Sequence, residues 1–283
     1  MVRIISDSTS DLSPELKERY GVTIIPLHVQ LGDNEYLDGV NISPEQIYAW
    51  SDQNNETPKT SAPSMQDVTD LFRSFLEKGD ELLVFTISSS MSSSYNICNL
   101  AAKELEAEDR ISVFDSANLS TGVGHLVVEA AILAQEGKSR AMIVQQLLRL
   151  RPRVRASFVV DTLVYLHRGG RCSGLAAMAG SALKLHPRIV VENGAMHSDK
   201  KYRGSLGKSI LSYAADLEEE LKKAKKDRVF ITHSGCDPEI VEQVRSYLKG
   251  LDHFDEIIET RAGGVISSHC GPGTLGVLFI AED

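Results

Sequence analysis

A chain of 283 residues, 42% hydrophobic and 24% charged, has ordinary globular composition and length for one large α/β domain or two smaller ones. Lys and Arg total 30 against 39 Asp and Glu, and the net charge of -9 argues against a broad electrostatic footprint for nucleic acid or an anionic membrane. Cys98, Cys172, Cys236 and Cys270 are far apart and form no C-x-x-C pair, so no zinc knuckle or redox pair is encoded locally and cytosolic thiols are expected. The start of the chain runs straight into a strand pattern without a signal-like apolar region, and no apolar run reaches spanning length; the expected location is the cytoplasm.

In chain order, residues 2–5 read as a strand, 13–19 as a helix opened at Pro14, and 22–31 as a strand whose apolar residues nearly alternate. A helix follows over 64–76 with Ser64 as N-cap, then a strand over 82–87, a helix over 92–105, a short strand over 111–114, and helices over 126–135 and 141–150. Strand, helix, strand order at this spacing predicts a parallel sheet covered on both faces. The pattern changes around Arg151-Pro152-Arg153, which places a domain boundary near residue 155: an N-terminal α/β domain over 1–155 and a C-terminal one over 156–283. The second half reads as a strand over 157–160, a turn at Gly169-Gly170-Arg171, a helix over 175–185, and two strands hinged on Asn193-Gly194. A charged helix over 206–225, a strand over 229–232, a helix over 238–248 and a strand over 274–280 complete it. The basic run over 222–228 reads as the solvated end of the charged helix.

Four polar clusters fall at strand or turn ends, where ligands of open α/β sheets bind: residues 7–11, residues 59–64, a run of six serines within 88–94, and Asp115-Ser116. Ser, Thr and Asp are also preferred caps, so each cluster alone reads as a cap, and their recurrence favours a ligand seat. Thr60 or Ser61 has a hydroxyl just before a helix, and Ser92 stands where the helix after the serine strand should begin. Hydroxyls and helix N–H groups hold a carboxylate reversibly and leave it chemically accessible, whereas a phosphate monoester would call for a direct Arg or Lys. Arg171 and Arg203 flank turn glycines, as guanidiniums that grip a phosphate or a protein partner, or as members of surface ion pairs. His269, ahead of Gly271-Pro272-Gly273, is either a head-group donor or a structural histidine.

The chain has no G-x-S-x-G elbow, Walker A loop, G-x-G-x-x-G or H-E-x-x-H motif. Asp7, Asp11 and Asp115 lack nearby histidines, so no metal is expected. A serine-dependent acyl hydrolase or transferase would have to pair Ser92 with His269.

The ordered set Ser6-Asp7-Ser8-Thr9-Ser10-Asp11, Thr60-Ser61-x-Pro63-Ser64, Ile87-Ser88-Ser89-x-Met91-Ser92-x-Ser94-Tyr95, Asp115-Ser116, Gly169-Gly170-Arg171 and His269-x-Gly271-Pro272-Gly273 resembles the DegV family of fatty-acid-binding proteins across nearly the whole chain. The resemblance implies a two-domain α/β fold, a parallel-sheet N-terminal domain and an α+β C-terminal domain, enclosing one long-chain fatty acid such as palmitate or oleate in a tunnel near their junction. It implies Thr60 and Ser92 as carboxylate ligands, Ser61 and Ser93 beside them, His269 next to the carboxylate, and Arg171 and Arg203 as contacts for a kinase or its nucleotide phosphate. The implied role is a carrier in lipid transport or fatty acid metabolism, not an enzyme. It needs no cofactor, touches membranes only transiently, and hands its acid to a separate ATP-dependent kinase for acyl-phosphate formation. Ser93, Asn96, Cys172 and Gly204 depart from the family's usual glycine, glutamine, isoleucine and threonine, and none of these changes removes an implied ligand.

Overall fold

The computed structural model describes residues 1–173 and 185–282; the helix expected over 175–185 lies outside them except for Leu185, which opens a strand. The first sheet is parallel, in the order Thr23–Ile25, Val2–Asp7, Glu81–Thr86, Ile111–Asp115. Its strands are near-continuous apolar runs because both faces are covered. Ile4, Leu83 and Phe85 pack toward the helices Thr121–Gln135 and Arg140–Leu150, while Ile5, Leu82 and Val84 pack toward Met65–Leu76 and Ser94–Glu104. Ser13, Ser64 and Ser139 each open a helix by accepting a backbone N–H three residues on, from Leu16, Asp67 and Met142.

The single strand expected over 22–31 is broken at Pro26, which cannot donate to a ladder. Thr23–Ile25 joins the parallel sheet, and His28–Leu31 turns away to form a small antiparallel sheet between Asn34–Leu37 and Lys59–Ser61. Between the last two strands runs the helix Pro44–Asn54, opened by a full capping box of Ser43 and Gln46.

The second half builds a seven-stranded mixed sheet in the order Glu256–Arg261, Arg228–His233, Leu275–Ile280, Val154–Val159, Leu185–Glu192, Ala195–Arg203, Cys172–Ser173. Its hairpin turns on Asn193 and Gly194 with φ of 51° and 80°, the pair of positive values that a type I′ turn requires. The charged helix expected over 206–225 is two pieces, Leu206–Asp216 and Glu218–Leu221, and with Pro238–Gly250 it covers one face. The other face packs on Thr121–Gln135, so that helix lies between the two large sheets and is buried on nearly every side. Gly124 lets it cross the start of the chain, since a Cβ there would sit 2.9 Å from the Ser10 carbonyl oxygen. His125 on the same helix donates from Nε2 to the Leu278 carbonyl at 3.0 Å, and burial holds it neutral by pushing its pKa down to about 3.

The basic run over 222–228 is not simply a solvated helix end. Arg228 is buried and donates to Glu129 at 2.6 Å, and Lys225 reaches the same carboxylate at 2.9 Å, tying the seven-stranded sheet to the central helix. Among the described residues no helix is long and apolar enough to cross a membrane.

Candidate functional site

The small sheet presents Thr60 on its outer strand, in register with Val29. After Glu81–Thr86 the chain enters the serine loop, which brings Ser92 and Ser93 to the start of Ser94–Glu104. The helix Gly264–Cys270 carries His269, and Arg171 follows Gly170, whose φ of 66° ends the short helix Val164–Gly169. Thr60, Ser61, Ser92, Ser93, Arg171 and His269 all line one cavity of about 250 Å³. Its apolar wall is built by Leu27, Ile87, Met91, Leu119, Met196 and Ile266. Arg203, exposed at the end of Ala195–Arg203, is not among the lining residues.

Thr60 Oγ1 and His269 Nε2 lie 2.7 Å apart. Burial, reinforced by the charge of Arg171, lowers the His269 pKa to about 4, so the ring is neutral at neutral pH and carries a single N–H. Its Nδ1 is buried without a partner among the described residues, and the chain at Gly169 packs so close that a Cβ there would come within 2.4 Å of it. A proton on Nδ1 would be a buried donor with no acceptor, so the hydrogen-bond network assigns the proton to Nε2. His269 therefore donates to Thr60, and the Thr60 hydroxyl proton is left to point at an acceptor in the cavity.

Ser92 Oγ accepts from the Ser94 backbone N–H at 3.2 Å and lies 2.8 Å from Ser94 Oγ. From one residue before the N-cap it thus takes up the first backbone donor of the helix, and the arrangement in which buried Ser94 donates frees the Ser92 proton for a ligand. Ser93 occupies the N-cap position without a capping bond. Its φ of −79° is open to any residue, so a serine in place of glycine costs no backbone strain.

Two of the four polar clusters are scaffolding. Asp115 accepts from Ser89 N at 3.1 Å, and Ser88 Oγ donates to the Gly194 carbonyl at 2.6 Å, which anchors the serine loop to the hairpin tip. Asp7 accepts from Ile87 N at 2.8 Å, and Asp11 accepts from Gly263 N at 2.8 Å and from Ser120 Oγ at 2.6 Å. A third buried carboxylate, Asp38, had no sequence signal beyond the turn glycine after it; it accepts from Gly264 N at 2.6 Å and Ser8 Oγ at 2.8 Å. Among the described residues no group of three His, Cys, Asp or Glu side chains is placed to hold a metal.

Burial raises the pKa of Asp7 to about 6 and of Asp11 to about 8, and it raises that of Asp38. For Asp11 the unfolded chain releases its proton near the ordinary value of 3.8, while the folded protein holds it to about 8. Its contribution to stability is therefore complete in acid and is lost as pH rises through that window. Asp11→Asn, which keeps an acceptor for Gly263, is expected to flatten the fall in Tm between pH 5 and pH 9; an unchanged slope in thermal melts would contradict the assignment.

A model of the family described as "Uncharacterised protein, DegV family" matches residues 1–282. The chain belongs to the DegV family. A fatty acid-binding protein of Thermotoga maritima is 32% identical over 284 residues, covering 97% of this chain and 96% of the relative. A DegV domain-containing protein of Deinococcus radiodurans is 33% identical over 276 residues, covering 98% of this chain and 97% of the relative. Among solved structures, a fatty-acid-binding DegV family protein from Thermus thermophilus superposes with a TM-score of 0.91 at 32% identity, covering 99% of each chain. A stearic acid-binding protein from Eubacterium ventriosum gives 0.87 at 31% identity, covering 99% of this chain and 98% of the other. The relatives from Thermotoga, Thermus and Eubacterium are named as binding fatty acids. In the present DegV chain, the histidine that a serine hydrolase would need as base is bonded to Thr60 instead.

Proposed function

We propose that this chain binds one long-chain fatty acid and presents its carboxylate to a separate ATP-dependent kinase. The observation that carries the reading is Thr60 held by a neutral His269 in the wall of a cavity whose other lining is largely apolar. Donors from Thr60, Ser92 and their neighbours Ser61 and Ser93 orient the anion, while apolar lining residues such as Leu27, Ile87 and Met91 take the acyl chain. Each methylene removed from water contributes about 0.8 kcal/mol, so the chain supplies affinity and the hydroxyls supply orientation. The fatty-acid-binding relatives from Thermus, Thermotoga and Eubacterium support this choice of ligand.

In acyl-phosphate formation a carboxylate oxygen attacks the γ-phosphorus of ATP and ADP leaves, so the carrier has only to hold and expose the head group. Arg171, at the cavity, and Arg203, outside it, are read as the contacts for the kinase or its nucleotide phosphate. Residues 1–155 and 156–283 are read as two domains; every strand of the parallel and small sheets ends by Asp115, and every strand of the mixed sheet begins at or after Val154. The carrier works in the cytoplasm and meets membranes only in passing. Arg203→Glu is expected to abolish acyl-phosphate formation by added kinase while oleate stays bound. Full acyl-phosphate formation by that variant would remove Arg203 from the partner surface.

A further inference from the structure

The helix Gly264–Cys270 begins without a capping side chain of its own, because Gly263 occupies its N-cap. Its first donors are taken from across the molecule: Gly263 N–H by Asp11 Oδ1 at 2.8 Å and Gly264 N–H by Asp38 Oδ1 at 2.6 Å. Both carboxylates are enclosed, Asp38 at 2% and Asp11 at 5% exposure, and each has its second oxygen held by a hydroxyl, from Ser8 and Ser120. The approach is close enough to require glycine: a Cβ at Gly264 would lie 2.9 Å from Asp38 Oδ1. The carboxyl oxygens take up the orphan N–H groups of the helix start, a role that does not require the acids to be ionised.

His269 lies only five residues beyond Gly264, so roughly 7–8 Å of helix separates the clamp from the ring. A helix this short moves as a unit, and a displacement of about 1 Å at its start is enough to break a head-group contact built on one hydrogen bond. We infer that Asp38, with Asp11, is a positioning residue for the carboxylate site: the clamp fixes the helix that sets His269 against Thr60, and so decides whether Thr60 turns its proton toward the ligand. The inference rests on the head-group reading of Thr60 and His269 given above.

The test combines ring-nitrogen NMR of histidine in the ligand-free full chain, assigned with His269→Gln, and oleate titration. In Asp38→Ala the His269 signals are expected to leave the Nε2–H pattern and oleate affinity to fall by at least about 10-fold. Asp38→Asn keeps a carbonyl acceptor for Gly264 and is expected to restore the pattern and bring affinity within about threefold of the parent. Val244→Ala, in the distant core under Pro238–Gly250, should lower Tm without moving either readout. If Asp38→Ala does not fold, Gly264→Ala displaces the same helix end from the other side. Either variant, folded, with unchanged His269 signals and unchanged oleate affinity overturns the inference. Failure of the parent protein to take up oleate would instead defeat the fatty-acid reading, and the ring-nitrogen pattern would still decide the clamp.

Discussion

Thr60→Ala is expected to weaken binding of a long-chain fatty acid by about 10- to 100-fold, the range for losing a hydrogen bond to a charged group. The loss of affinity comes from the Thr60 proton that the ligand carboxylate no longer receives. The His269 Nε2–H also loses its acceptor in a buried position, which lowers the stability of the empty protein and not the affinity. Ser92→Ala should cost less in the empty protein, because its main partner there is the Ser94 backbone N–H, but a similar factor in affinity. The two residues share one ligand, so the double variant should fall short of the product of the single effects. Calorimetric titration with oleate measures all three. Affinities unchanged in both single variants would place the carboxylate elsewhere.

Phe85→Ala is expected to cost about 3–5 kcal/mol of folding stability. Phe85 is fully buried on Glu81–Thr86, and its ring packs tilted against Phe114 at 5.5 Å between centroids. It lies in the cluster that joins the parallel sheet to Thr121–Gln135 and, through that helix, to Phe230 and Leu278 of the mixed sheet. The cavity would open at the meeting of three layers, with little freedom for any one to collapse into it. At roughly 2–4 °C per kcal/mol for a chain of this class, Tm should drop by about 6–20 °C. Denaturant unfolding with a loss under about 1 kcal/mol would show that the site repacks.

The parallel sheet was legible because its signal is local: apolar runs such as 82–85, covered on both faces, alternating with helices opened by serine caps. The hairpin at Asn193-Gly194 was legible for the same reason, since a turn pair carries its own conformation. The helix Pro44–Asn54 had a readable signal in Ser43-Pro44 and Gln46 that the expected elements left out. Gly264–Cys270 offered none, because two glycines replace a cap and the capping carboxylates come from residues more than 220 positions away. The hydroxyls of the site could be found as polar residues at strand ends, yet the same logic also gathered Asp7, Asp11 and Asp115, which brace loops. What sets the proposed ligand apart from a brace is the bond between Thr60 and His269, 209 residues apart, and no spacing encodes it.

Native mass spectrometry of the purified full chain, before and after addition of oleate or palmitate, tests the central claim most directly. The account predicts one acyl ligand per chain, retained by the parent and shed far more readily by the Thr60→Ala, Ser92→Ala double variant. A protein that carries no acyl ligand even after addition, or a double variant that retains it as the parent does, would contradict the account.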